Sequence, residues 1–153
     1  MKKDISFVHT NIVAKDWKKL AQFYIDVFGC EPVYPERDLK GDWIDKLTQI
    51  KNVHLKGIHL RLPGYVNGPT LEIFEYNICP VDNTKIVINT PGFSHIAFHV
   101  YNVHNILDKI IEHGGSTYGE LIKKEIEGVG IITAIYTSDP EGNIIEVQNW
   151  SEN

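Results

Sequence analysis

Phe93-Ser94-His95-Ile96-Ala97-Phe98-His99-Val100 decides the reading of this chain, together with its echo Phe7-Val8-His9-Thr10-Asn11-Ile12. Each opens with Phe-x-His in an alternating run, the period-2 pattern of a strand. Each is followed by a stretch with helical periodicity. Each half then closes on a strand with a carboxylate between apolar residues: Leu71-Glu72-Ile73 in the first, Ile145-Glu146-Val147 in the second. Such a carboxylate is costly in a dry interior unless a cation, a donor or water meets it. Two His and two Glu at matched places therefore form a metal-site hypothesis: His9, Glu72, His95 and Glu146.

The segments around them repeat in one order. Ile5 to Val13 reads as a strand with His9, Asn11 and Val13 on one face. Asp16 is placed to cap a helix whose apolar stripe is Trp17, Leu20, Phe23, Tyr24, Val27 and Phe28, and Gly29 ends it. Glu31 to Tyr34 reads as a short strand. Glu36 to Asn52 is a polar excursion with a helical turn or two capped by Asp42. It is expected to be either a lid or a surface loop anchored by Trp43. Val53 to Leu62 alternates with His59 and Arg61 on one face, and Thr70 to Tyr76 with Glu72, Phe74 and Tyr76 on one face. In the second half, Asn102 caps a helix with Val103, Ile106, Leu107, Ile110 and Ile111, closed by Gly114-Gly115. Strands follow over Tyr118 to Ile126, Gly130 to Ser138 and Asn143 to Trp150, the last after the turn Asp139-Pro140-Glu141-Gly142.

The interval from His9 to Glu72 exceeds that from His95 to Glu146 by 12 residues (63 against 51), about the length of the polar excursion. A duplication with one insertion accounts for this. The expected architecture is α+β: two tandem βαβββ modules, 5–79 and 93–150, joined by linker 80–92, forming a curved mixed sheet within a single domain spanning 1–153. Neither module is expected to bury its sheet alone. The two should curl together or pair with a second chain.

Composition narrows the function. A net charge of −5 gives no basic footprint for nucleic acid. No apolar run approaches the roughly 20 residues that span a bilayer, and Met1-Lys2-Lys3-Asp4-Ile5-Ser6 lacks the apolar core of a secretion signal. Cys30 and Cys79 have no metal-binding spacing and are read as reduced core residues. A cytoplasmic enzyme with a small-molecule substrate is the expectation. Two imidazoles and two carboxylates suit a borderline divalent ion, Zn, Ni, Co, Mn or Fe.

These segments, with Phe23-Tyr24-Ile25-Asp26-Val27-Phe28-Gly29-Cys30 and Asp139-Pro140-Glu141-Gly142-Asn143-Ile144-Ile145-Glu146, resemble the vicinal oxygen chelate superfamily over residues 5 to 149. The superfamily includes glyoxalase I, methylmalonyl-CoA epimerase, extradiol dioxygenases and fosfomycin resistance enzymes. The resemblance places the metal ligands at His9, Glu72, His95 and Glu146. By ligand set it is nearest to glyoxalase I, lactoylglutathione lyase, and it implies a homodimer or paired modules. The ligands then come from one subunit or two. Glyoxalase I carries a glutathione-holding Arg four residues past the first His, where this chain has Val13. It carries an Asn four residues past the Glu, where this chain has Tyr76. The resemblance therefore stops short of glutathione.

The implied reaction is metal-assisted proton transfer beside a carbonyl, through a metal-stabilised enediolate, with Glu146 or Glu72 as general base. His59, Arg61, His99 and Arg37 are the candidate substrate contacts. An acyl epimerase, an Fe(II) dioxygenase and a non-catalytic small-molecule binder of the same fold are the alternatives.

Overall fold

The computed structural model describes residues 5–80 and 85–151. The chain divides into two compact units, Met1–Asp82 and Asn83–Asn153. Among the described residues both are α+β, with two helices in the first and one in the second, each unit on its own mixed sheet.

Unit 1 begins with β1 (His9–Val13) and α1 (Trp17–Phe28), followed by β2 (Glu31–Lys40), α2 (Asp42–Thr48), β3 (His54–Arg61) and β4 (Thr70–Tyr76). Its sheet has the order β1-β4-β3-β2, with β1 parallel to β4 and the remaining pairs antiparallel. The helix α1 forms where the stripe said it would. Trp17, Leu20, Phe23, Tyr24, Val27 and Phe28 are all buried. Asp16 accepts from the Lys19 amide, and Gly29 closes the end at φ 67°. A cap contributes about 1 kcal/mol, whereas each buried aromatic or aliphatic side chain contributes about 1.5–3 kcal/mol. Packing therefore holds this helix, and capping sets where it starts. It lies on the face formed by Ile58, Leu60, Leu71 and Ile73, all buried. The carboxylate of Glu75, on that same face, accepts from the Trp17 amide at 3.3 Å.

The opposite face of this sheet carries the candidate residues. In-register partners point the same way. His59 pairs with Glu72, Gly57 with Phe74, and Asn11 with Glu72 from the other side.

Three expectations for unit 1 change. The first strand begins at His9 rather than Ile5. The short strand expected over Glu31 to Tyr34 continues to Lys40, because β2 is an edge strand and Pro32 and Pro35 cost an edge little. Its register slips between Val33 and Arg37, where the prolines sit. The helix α2 is capped by Gly41, not by Asp42, and its anchor is Ile44, buried to 3% exposure, not Trp43, which is 55% exposed.

Ile44 packs with Val53, Leu55 and Phe74. Asp45 accepts from the amides of Asn52 and Val53 at 2.8 and 3.0 Å, tying the helix to the start of β3. The polar excursion is thus packed onto the site-bearing face through Ile44 and bonded at its exit, where a loop anchored by Trp43 was expected.

Unit 2 repeats the order with β5 (His95–His99), α3 (Val103–Glu112), β6 (Ser116–Thr117), β7 (Ile122–Ile126), β8 (Gly130–Ser138) and β9 (Ile144–Ser151). The strand expected over Tyr118 to Ile126 is shorter, β7, and is preceded by the two-residue β6, both paired to β8. The helix α3 starts at the Asn102 cap, which accepts from the Asn105 amide, and buries Val103 and Ile110. Ile111 is exposed. Asp139, 2% exposed, accepts from the amides of Glu141 and Asn143 and from the Asn143 side chain, which builds the turn into β9.

Of the linker expected over 80–92, positions 81–84 lie outside the described residues, and 85–92 form neither helix nor strand. Bonds from Ser94 to the Ile88 carbonyl and from the Ile88 amide to Tyr118 hold its second part against unit 2. Cys30 is buried as expected, but Cys79 is exposed, because it follows the last strand of unit 1 instead of joining its core.

Candidate metal centre

The two units carry their candidate ligands in the same frame. In unit 1, Glu72 on β4 is in register with Asn11 on β1 and His59 on β3. In unit 2, Glu146 on β9 is in register with Ala97 on β5 and Tyr136 on β8. His9 and His95 each stand two residues before the β1 and β5 partner of the carboxylate. The duplication therefore holds residue by residue: His9 with His95, Glu72 with Glu146, His59 with Tyr136, and Asn11 with Ala97.

In each unit the imidazole and the carboxylate meet. His9 Nε2 lies 3.6 Å from Glu72 Oε1, and His95 Nε2 lies 3.2 Å from Glu146 Oε2. Two ligand atoms bound at about 2.1 Å to one divalent ion stand roughly 3.0 to 3.4 Å apart in octahedral to tetrahedral geometry. Both pairs fall near that spacing, so the residues fit a divalent ion. The two carboxylates are largely sheltered, with side chains 13% and 18% exposed.

His59, expected only as a substrate contact, is drawn into the ligand cluster. Its Nε2 lies 2.8 Å from Glu72 Oε2, and its ring meets that of His9 edge-on at 5.4 Å. His9, His59 and Glu72 present three ligand atoms within 4.8 Å of one another. Its other ring nitrogen, Nδ1, sits 2.9 Å from the Thr70 hydroxyl. Burial pushes the His59 pKa below the ordinary histidine range; the Glu72 charge opposes this, and Arg37 and His9 add to it. The alternation of β3 gave the face of His59, but only the register with β4 reveals its partner, and a sequence does not print register.

The other candidates divide. Arg37 pairs in register with Gly57 and so lies on the His59 face. Its guanidinium donates to the Pro35 carbonyl. Arg61 is bound to Glu31 at 2.8 Å, which occupies part of its donor set. His99 is exposed on the His95 face, opposite Gln148.

Tyr136 was missed by sequence reading. Its ring packs edge-on to His95 at 5.1 Å. Burial and the neighbouring Glu146 charge push its phenol pKa up, so it stays protonated as a hydrogen-bond donor. Beside it, a cavity of about 350 Å³ is lined by Ile122, Ile132, Ala134, Tyr136, Glu120 and Glu146. Among the described residues its lining is apolar with two carboxylates and no Lys or Arg.

The comparisons with known proteins bear on family and fold. The family model of the Glyoxalase/Bleomycin resistance protein/Dioxygenase superfamily matches residues 6–147. A glyoxalase family protein of Bacillus cereus superposes with a TM-score of 0.75 at 15% identity, covering 98% of each chain. A glyoxalase family protein of Enterococcus faecalis gives 0.56 at 22% identity, covering 96% of this chain and 98% of that one. A fosfomycin resistance protein of Listeria monocytogenes, solved with Mn(II) and sulfate, gives 0.52 at 17% identity, covering 99% of this chain and 95% of that one. At these identities the likeness is one of fold. No curated protein matches the chain in sequence. Among the described residues no helix is long and apolar enough to cross a membrane.

Proposed function

The chain belongs to the Glyoxalase/Bleomycin resistance protein/Dioxygenase superfamily, and from that premise we propose that it is a divalent-metal-dependent lyase or isomerase of the glyoxalase I type, acting on a small carbonyl compound. The proposed ligands are the pair His9 and Glu72 within unit 1 and the pair His95 and Glu146 within unit 2. The observation that carries the reading is the repeated imidazole–carboxylate pair, at 3.6 and 3.2 Å, in the same register of two sheets. When bound, the ion would supply Lewis-acid stabilisation to negative charge developing on substrate oxygen.

The chain's own residues do the rest. Glu146 takes the proton from the hydroxyl-bearing carbon next to the carbonyl and returns it to the carbonyl carbon, while the hydroxyl proton passes to the former carbonyl oxygen, so the net reaction is an isomerisation with no redox change. Tyr136, protonated, donates to a substrate oxygen. The apolar cavity beside it receives the substrate's side group. Among the described residues two carboxylates and no Lys or Arg line that cavity, which disfavours an anionic group such as either carboxylate of glutathione. Arg37 and His99 are proposed as further substrate contacts, and a homodimer as the working assembly.

Metal analysis of the purified protein tests the reading. Bound divalent ion is expected in the wild type, and weaker retention of it in Glu72→Gln and in His95→Ala. A companion assay follows deuterium from D2O into methylglyoxal, phenylglyoxal and hydroxyacetone, with and without glutathione. A wild type that takes up none of Zn, Ni, Co, Mn or Fe sinks the proposal.

A second reading draws on the His9, His59 and Glu72 cluster. Two imidazoles and one carboxylate are the donor set of non-haem Fe(II) oxygenases. Oxygen uptake with a catechol by the Fe(II)-loaded protein would favour it over isomerisation.

A further inference from the structure

Glu72 is gripped on both of its oxygens. Asn11 Nδ2 donates to Oε1 at 2.9 Å. His59 Nε2 stands 2.8 Å from Oε2. An ionised carboxylate only accepts, so the hydrogen of this contact belongs to His59 Nε2. In the neutral ring, Nδ1 then carries a lone pair, and the Thr70 hydroxyl at 2.9 Å is placed to donate to it. Thr70, His59 and Glu72 form one directed chain, Thr70 Oγ1–H to Nδ1 and Nε2–H to Oε2.

The spacing separates this role from that of a ligand. Co-ligands of one ion stand roughly 3.0 to 3.4 Å apart, whereas an N–H···O⁻ bond runs at about 2.7–2.9 Å. His95 to Glu146, at 3.2 Å, lies in the first range, and His9 to Glu72, at 3.6 Å, just beyond it. The His59 contact lies in the second. The nitrogen that points at Glu72 also carries a hydrogen, which leaves no lone pair there for a metal.

We propose that His59 is a positioning residue, which, with Asn11 on the other oxygen and Thr70 behind the ring, fixes Glu72 in one orientation. The matched positions of unit 2 hold Tyr136 and Ala97, and neither reproduces this grip. Ala97 has no donor to offer Glu146. The two carboxylates of the duplicated frame are thereby specialised: Glu72 is the static one and Glu146 the mobile one. This rests on the four-ligand reading above and goes beyond it, by naming the residues that make its two halves unequal.

The test uses the full chain with Co(II) and Mn(II) as probes. His59→Gln keeps a donor near the same place; His59→Leu removes it. Removing such an outer partner costs 10–100-fold in metal affinity. His59→Leu is expected to lose that much by titration calorimetry, and His59→Gln to recover most of it. The Co(II) visible spectrum of His59→Gln should match that of the wild type, because no ligand has changed. In metal-free protein, 15N spectra should place the His59 proton on Nε2, and Thr70→Val should disturb that preference.

A Co(II) spectrum altered equally in both His59 variants would make His59 a ligand and overturn the proposal. Metal affinity unchanged in His59→Leu would overturn it as well, while leaving the four-ligand reading intact. A wild type that binds neither ion removes both.

Discussion

The ring of His59 stands edge-on to that of Phe74, with centroids 6.0 Å apart and planes at 89°. Phe74 also packs in the cluster with Ile44 of α2. The wall added to unit 1 therefore reaches the ligand cluster through one phenyl ring.

That contact makes the anchor of α2 measurable. Ile44→Ala leaves a cavity beside Phe74 and should cost about 2–5 kcal/mol. Trp43→Ala, one residue away and exposed, should stay within about 0.5 kcal/mol. Denaturant titration of the two variants compares them directly. The Ile44 variant should also shift the His59 ring resonances, which the Trp43 variant should leave in place.

Gly57 is the position in β3 with no room to grow. A Cβ there would collide with the Ile73 carbonyl oxygen and the Phe74 ring. The backbone at this point is ordinary strand, so the constraint is contact alone. Gly57→Ala should destabilise by about 1–3 kcal/mol, the usual cost of overpacking, and displace Phe74 from His59. Thermal melting and the His59 resonances test both halves of this statement.

The two thiols should behave differently. Burial pushes the Cys30 thiol up to about 12, so almost none of it is thiolate near neutral pH. Cys79 is exposed. An aromatic disulfide reagent should titrate one thiol per native chain and two in denaturant. Rapid reaction of both in the native protein would contradict the burial of Cys30.

His59 gives a pH expectation with a definite sign. Burial lowers its folded pKa, although the Glu72 charge pulls the other way. Its neutral form is then the one the fold favours. Its contribution to stability is present above the ordinary histidine value and is lost as pH falls from there through the lowered folded value. Histidine NMR titration of the metal-free protein should show His59 with a midpoint below that of an unfolded reference. A raised midpoint would mean that Glu72 outweighs burial.

Much of this arrangement could be read from the chain itself. Alternation placed His9, His59 and Glu72 each with its neighbours on one face, because a strand has only two. The stripe from Trp17 to Phe28 gave α1 and its burial for the same kind of reason. What failed was information held between segments. The full length of β2 was hidden by Pro32 and Pro35, which an edge strand tolerates and a central one would not. The anchor of α2 was misjudged because Trp43 and Ile44 are both apolar, and only the neighbouring cluster decides which turns inward. The partnership of His59 with Glu72, and of Tyr136 with Glu146, depends on strand register, set by turn geometry that residue types alone do not specify.

The strand order β1-β4-β3-β2 puts the extra length of unit 1 at the margin farthest from His9. Lengthening or trimming β2 and α2 reshapes that edge of the sheet without altering the spacing of the first imidazole and its carboxylate. Grafting experiments that exchange residues 36–52 should accordingly change which compounds are accepted before they change whether the ion is held.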